Sequence, residues 1–509
     1  MRYIQGQDRQ QINLFPVNLD GAISTDNDVR LIDEFVECLN LQEFGFQVAQ
    51  RETGRPGYHP GVLLKLFLYG YMNGIRSSRK LEKECKRNIE VMWLLGCLIP
   101  DHNTISNFRR DNPKPIKKVF RATVSLAKHF NLIGGVLIAG DSTKLRAQNS
   151  KKNNYNQKKI ERHLEYIEKK LQEYNEELAR NDGDSTTVSK LKKEIEQQTE
   201  RKEHYKKIEQ QISETKESQV STSDPDSRHM ITRNNITEVV YNVQTTVDEK
   251  NNIPIDYKVT NTNDSKAMGN MLQRAKSILH TNQFTALYYK GYHTGSEFQI
   301  AENLGIQTLV AIPTVAAQAP DPAYNVENFI YHKEQDYYTC PQGEYLTTTG
   351  KWHQAKTYQF KRYTTKACTT CQTKDECSKA KYGKAIQRSQ YQEVIDKNKQ
   401  QVENNQGYYR RRQAIVEHPY GTIKRQWGFN YIITKKGIQR AGSDVGLIMI
   451  AYNLRRIINI IGKKKLMALL GAIILFLSMI FEALMSIFRL KKAFNNHIYL
   501  FYQYQHKCI

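Results

Sequence analysis

Asp141 ends a short apolar run, Val136-Leu-Ile-Ala-Gly-Asp-Ser-Thr-Lys-Leu-Arg146. A run of this length suits a buried strand, and the strand end is where an open sheet usually keeps its chemistry. A carboxylate there could hold a divalent cation, and the neighbouring Lys144 and Arg146 could hold phosphate. Two later blocks extend the pattern. Residues 286–292 read ALYYKGY after another apolar run, and residues 417–424 read EHPYGTIK. Glu417 sits among Arg410, Arg411, Arg412, Lys424 and Arg425. Glu417 and Lys424 share one face if the helix is unbroken, whereas Pro419 could open a new turn between them. Taken singly, an Asp after a strand is more often a turn or cap residue, and a basic run more often a solvated face. The combination is what points to phosphate chemistry.

The cysteines form a second constellation. Cys368-Thr-Thr-Cys371, with Cys377 downstream and Cys340 upstream, could supply four thiolates to one tetrahedral Zn²⁺, with His332 or His353 able to replace one ligand. The other reading is a group of ordinary reduced thiols. Lys361, Arg362, Lys366, Lys374, Lys379 and Lys381 make this stretch basic. Over all 509 residues, 75 Lys and Arg against 52 Asp and Glu leave a net charge of +23, which suggests a polyanionic partner, nucleic acid first. Met1–Asn18 is polar and lacks the apolar core of a signal peptide, so a cytoplasmic chain is expected.

The elements that must position these residues follow from periodicity. Residues from Asp28 to about Phe130 read as helical: Val29, Leu31, Ile32, Phe35, Val36 and Leu39 recur at helical spacing, Pro60-Gly61 opens a second helix to Met72, and Ser77-Ser78 caps a third. Asp101 or Asn103 caps a further helix, whose exposed face would carry His102, Asn107, Arg109 and Arg110. That face suits either a DNA groove or plain solvent. In 151–220 a heptad stripe through Ile160, Leu164, Ile167 and Leu171 breaks at Asn181-Asp-Gly-Asp and resumes, which predicts an antiparallel hairpin over intermolecular pairing. Beyond Asp226 the period switches to two: Val239, Tyr241 and Val243, then Ile255, Tyr257 and Val259, alternate with polar residues. Residues 466–488 are apolar enough to cross a bilayer with one charge, Glu482; a core-packing helix or divergent tail is the favoured reading.

The three blocks together resemble bacterial insertion-sequence transposases of the DDE type, from about Tyr58 to Gly462. The resemblance implies an α/β RNase H-like core with helical-hairpin and Cys-rich insertions, behind an all-helical N-terminal domain. It divides the chain into a helical DNA-binding domain (1–130), the first part of the core (131–150), the hairpin (151–220), the core continued (221–318), a Cys-rich basic insertion (319–400), final core helices (401–462) and an apolar tail (463–509). It implies Mg²⁺ or Mn²⁺ on Asp141 and Glu417, the first and third acids. The partner implied is double-stranded DNA, the element's terminal inverted repeats and its target, bound by a homodimer. Lys144, Arg146, Arg109, Arg411, Arg412, Lys424 and Arg425 are the DNA-contact candidates; Arg109 enters through the family's P-D-H-x-T pattern.

The chain departs from that family at the second acid, where Tyr289 stands in place of aspartate. A phenol of ordinary pKa about 10 is a poor hard-anion ligand. Asp264 could lie near the site, Asp248 less so, and neither matches the family position. Gln413 holds a place where arginine is expected, leaving Arg411 or Arg412 the phosphate contact. The resemblance therefore implies a bacterial, nucleoid-associated transposase, in a copy either active or inactivated at Tyr289. The rivals are a DNA-binding protein without chemistry and, less favoured, a metal-dependent nuclease.

Overall fold

The computed structural model describes residues 18–48, 57–180, 185–215, 217–232, 235–314, 319–434 and 436–472. Asn27 caps the first helix by accepting from the Val29 amide. Six helices then follow at the expected period: α1 (Asp28–Glu37), α2 (Pro60–Met72), α3 (Ser78–Arg87), α4 (Ile89–Leu95), α5 (His102–Asp111) and α6 (Pro113–His129). Pro60 lies inside α2 because its missing N–H falls in the first turn, where no partner exists anyway, and His59 Nδ1 accepts from the Gly61 amide.

The main sheet starts with β1 (Leu137–Arg146), which holds Asp141. The chain then leaves through β2 (Asn154–Tyr155), runs up α7 (Gln157–Arg180), down α8 (Ser185–Thr215) and returns through β3 (Val220–Ser221), paired antiparallel to β2. The two long helices bury Ile160, Ile167, Tyr205, Ile208 and Ile212 against each other in a cluster of their own, as the heptad stripe predicts. The sheet resumes with β4 (Arg228–Ile231), β5 (Thr237–Asp248) and β6 (Ile253–Thr260), then α9 (Met268–Leu279), β7 (Thr285–Tyr288), α10 (Gly295–Leu304) and β8 (Gln307–Val310). β5 is antiparallel to β1, β4 and β6, whereas β7 is parallel to β1 and β8 to β7.

Residues 330–389 form a separate five-stranded antiparallel sheet, β9 (Ile330–His332), β10 (Tyr337–Thr339), β11 (Tyr345–Gln354), β12 (Gln359–Thr364) and β13 (Ile386–Ser389), with a short helix α11 (Lys374–Cys377) before the last strand. Its core is small: Phe329, Tyr338, Leu346, Tyr363 and Ile386. The sheet is followed by α12 (Gln392–Asn404), α13 (Gln406–Tyr420) and α14 (Ile438–Ile461), and then by a helical stretch, Lys463–Ala472.

α14 runs through the middle of the molecule, packed on α2, α6 and β6, so the N-terminal helices and the main sheet share one hydrophobic core. Asp444 of α14 is fully buried, pairs with Arg76 and accepts from the Tyr71 hydroxyl and the Ile433 amide. Removing one partner of such a pair typically costs about 3–5 kcal/mol, because the other charge is left buried alone. Leu466 and Leu470 are buried against the same core, in line with a packing role for the start of the apolar stretch. Its remainder lies outside the described residues. Among those described, no single helix is long and apolar enough to cross a membrane.

Candidate active site

β7 fits tightly against β1 because residue 140 is glycine. A Cβ there would stand 1.9 Å from the Tyr288 ring. The register pairs Ala139 with Leu287, which brings Asp141 and Tyr289 to the same end of two neighbouring parallel strands. Tyr289 follows β7 directly, and its ring lies against Gly291, where a Cβ would be 2.6 Å away. The phenol donates to Asp264 Oδ2. Asp264 lies in the short turn after β6 and also accepts from Asn242 Nδ2 at 2.7 Å and Gln244 Nε2 at 2.6 Å, both on Oδ1. Gln244 Oε1 in turn accepts from Tyr292. Burial, then the charge of Asp264, holds the Tyr289 phenol far above its usual range, so it is a protonated donor.

Asp141 accepts from Arg412 Nη1 at 3.1 Å and from the Ser142 amide at 2.7 Å. Burial raises its pKa; Arg412 opposes that shift, and the nearby Asp264 adds to it. α13 lies across this strand end. Besides Arg412, the Tyr420 hydroxyl donates to the Asp141 carbonyl at 3.3 Å and Lys424 Nζ donates to Thr143 Oγ1 at 3.0 Å. Helical structure continues through Pro419, and the turns from Gly421 to Gln426 widen into a π-helix, which carries Lys424 back toward β1.

The sequence candidates therefore divide. Asp141, Tyr289, Arg412 and Lys424 meet, together with Asp264. Glu417 is exposed on α13 and accepts from Gln413 Nε2 at 2.8 Å. Lys144 and Arg146 lie further along β1, Arg411 pairs with Glu249, and Arg425 is exposed. Arg109 requires correction as a surface DNA contact. It is 4% exposed and donates to the Tyr71 hydroxyl and the Arg76 carbonyl, because α5 turns that edge inward. Asp248 is also elsewhere, accepting from the amides of Gly134, Gly135 and Lys250 to cap a turn.

Asn242, Gln244, Tyr292 and Tyr420 are functional-site residues that sequence patterning does not single out. Alternation along β5 predicts that its polar residues face solvent; Asn242 and Gln244 are instead 0% and 1% exposed. Both faces of β5 are covered, and the only signal is the uncharged amide character of its polar positions.

These residues do not fit a divalent-metal centre as they stand. The Asp141 carboxylate is paired with Arg412, Asp264 is taken by three donors, and Glu417 is bound to Gln413. Among the described residues, no three His, Cys, Asp or Glu side chains are arranged to hold a metal ion. This includes the cysteines. Cys340, Cys368, Cys371 and Cys377 are free thiols lining one cavity of about 30 Å³, but they do not converge on a single point. The Glu344 amide donates to Cys340 Sγ at 3.3 Å, and burial raises the Cys377 thiol, which favours its protonated form, while Lys384 opposes the shift.

Comparison with known proteins yields two family matches. Residues 17–111 match a transposase domain (DUF772), and residues 339–458 match a transposase DDE domain. No curated protein matches the chain. A solved piggyBac transposase synaptic complex with hairpin DNA aligns over 87% of this chain and 76% of its own, at 9% identity and a TM-score of 0.29, too low to bear on the fold. The two matches cover the N-terminal helices and the helices bearing Arg412, Glu417 and Asp444, and they support a DDE transposase.

Proposed function

We propose that this chain is an insertion-sequence transposase that binds duplex DNA and whose strand-transfer centre is disabled at Tyr289. The observation carrying the proposal is the Tyr289 phenol, lodged between Asp141 and Asp264 and donating to the latter. The sheet order β6-β5-β1-β7-β8, with three antiparallel strands followed by two parallel ones, supports an RNase H-like core. In that reading Asp141 holds the first acidic position, Tyr289 the second and Glu417 the third. The family generally uses divalent metal ions, and Mg²⁺ or Mn²⁺ is the expected ion; the unaltered site offers it no ready ligand set, so no step runs through one.

Lys144, Arg146, Arg411, Arg412, Lys424 and Arg425 are assigned to DNA phosphates. They lie on or beside β1 and α13, and a net charge of +23 favours counterion release on binding. Terminal inverted repeats present two copies of one site, which a two-fold pair of chains would match. The segment boundaries carry over as proposals: helical bundle 1–130, hairpin 151–220, Cys-rich sheet 319–400, final helices 401–462 and tail 463–509. The thiol group is assigned one structural Zn²⁺, which would have to draw together four thiols that do not converge as they stand, in a sheet whose apolar core is only five residues.

The test is cleavage of duplexes carrying the element's ends, in Mg²⁺, by the unaltered chain and by Tyr289→Asp. Binding by both, with cleavage by the variant only, is expected. Efficient cleavage by the unaltered chain would refute the disabled centre and make Asp264→Asn the next variant.

A further inference from the structure

The separate sheet carries a groove outside the site just described. The outer face of β11 and β12 and the loop 378–385 enclose an open volume of about 1380 Å³. Its lining holds five cations, Arg362, Lys366, Lys379, Lys381 and Lys384, together with His353, and contains no carboxylate. Three of the sheet's other cations are neutralised, Lys361 by Asp336, Arg388 by Asp396 and Lys333 by Glu393, whereas Lys351 and Lys356 of the β11–β12 hairpin and Lys374 of α11 make no ion pair among the described residues. Among the described residues, none of Arg362, Lys366, Lys379 and Lys381 has such a pair. The groove thus gathers cations without a carboxylate among them.

Strand geometry explains why Arg362 is among them. Tyr363 is fully buried in the small core, so its neighbours Arg362 and Thr364 point to the opposite face, with Thr347 paired to Thr364. Tyr382 stands 73% exposed at the rim. Long lysines spread around an open trough, with hydroxyls on its floor and an exposed ring beside it, suit a repeating anion more than a small one, which needs converging buried donors. The groove shares Cys377, Ser378, Gly383 and Lys384 with the thiol cavity beneath it, so the cysteine group buttresses one wall.

We infer that this groove is a second interface for the sugar–phosphate backbone of duplex DNA, separate from the Asp141 site. The inference rests on the reading of the chain as a DNA-binding transposase. The experiment measures affinity of the full chain for a 40-base-pair duplex (about four helical turns) across a salt series. It compares the unaltered chain, the variant Arg362→Gln/Lys366→Gln/Lys379→Gln/Lys381→Gln, and a charge-matched control with four exposed hairpin lysines, Lys192, Lys193, Lys206 and Lys207, changed to Gln. Each phosphate that is no longer neutralised should flatten the slope of log K against log salt by about 0.9, hence by about three to four for the groove variant. The hairpin control should keep the original slope. An unchanged slope in the groove variant, or equal flattening in both variants, overturns the groove while leaving DNA binding intact. A slope near zero for the unaltered chain overturns the DNA reading, and the groove with it. Preferential loss of single-strand binding, measured with one strand of the same oligonucleotide, would also overturn the duplex assignment.

Discussion

Changing Tyr289 to Asp should make the stability of this protein depend on divalent cations, which the unaltered chain's stability should not do. The phenol gives Asp264 its third donor, and a hydrogen bond to a charged group is worth roughly 1.5–3 kcal/mol. The ring also meets Tyr292 edge-on at 5.2 Å and lies 5.7 Å from the Arg412 guanidinium, interactions worth about 0.5–1.5 kcal/mol each. Aspartate forfeits all three and adds a carboxylate beside Asp264 and Asp141. The metal-free variant should therefore be about 3–5 kcal/mol less stable. A cation bound to the three acids at a hundred times its Kd should return about 2.7 kcal/mol. The assay is the urea unfolding midpoint with EDTA and with Mg²⁺, for the unaltered chain, Tyr289→Asp and Tyr289→Asn. Only the Asp variant should respond, recovering roughly half to nine-tenths of its loss. An equal Mg²⁺ response in the unaltered chain would mean that Asp264 already serves as a ligand, and would refute the reasoning.

Other outcomes follow from the same structure. Replacing 157–215 by a short turn should leave the remaining far-UV spectrum and unfolding midpoint intact, since β2 and β3 lie side by side and the hairpin buries its own cluster; loss of solubility would make it part of the core. Metal analysis should find about one zinc per purified chain, with Cys368→Ser losing it; no zinc and four freely titrating thiols would remove the assignment. Asp256 is fully buried, which pushes its pKa up, yet Lys117, Arg274 and Arg121 hold it down at about 2. A depressed acid stabilises the fold above its unfolded pKa of about 3.9, and that contribution is lost as pH falls toward 2. Arg274→Met should cost about 3–5 kcal/mol and raise the acid-unfolding midpoint, and an unmoved midpoint would contradict the assigned role.

The helices and the first strand of the site are legible in the sequence because their apolar spacing is unambiguous: α1, α2, the α7–α8 hairpin and β1 lie where periodicity puts them. Three features are not. The alternation along β5 marks a strand but cannot say that both faces are covered, so Asn242 and Gln244 read as solvent-facing when they hold Asp264. Arg109 reads as exposed because a cation on an amphipathic helix usually is; its burial depends on Tyr71 and Phe67 of another helix. The sheet of 330–389 is hidden by short strands with few inward apolar residues, in a stretch whose cysteines and lysines draw the eye toward metal and charge.

What Tyr289 does to chemistry and what it does to folding are separate. The ring fills space that Gly291 leaves open, its edge finds Tyr292, and its one polar hydrogen finds a carboxylate, so each requirement of a half-buried phenol is met. A site built for metal must instead keep carboxylates close together and short of partners, an arrangement that costs stability until a cation arrives. Tyrosine removes that cost. With Asp264 satisfied and Asp141 paired to Arg412, the strand ends form a closed hydrogen-bonded cluster. A chain that loses its chemistry in this way comes under no folding pressure to regain it, and its basic surfaces are untouched. On the proposed reading the two activities would part at a single residue, DNA affinity being a matter of the basic surfaces and strand transfer of the carboxylates.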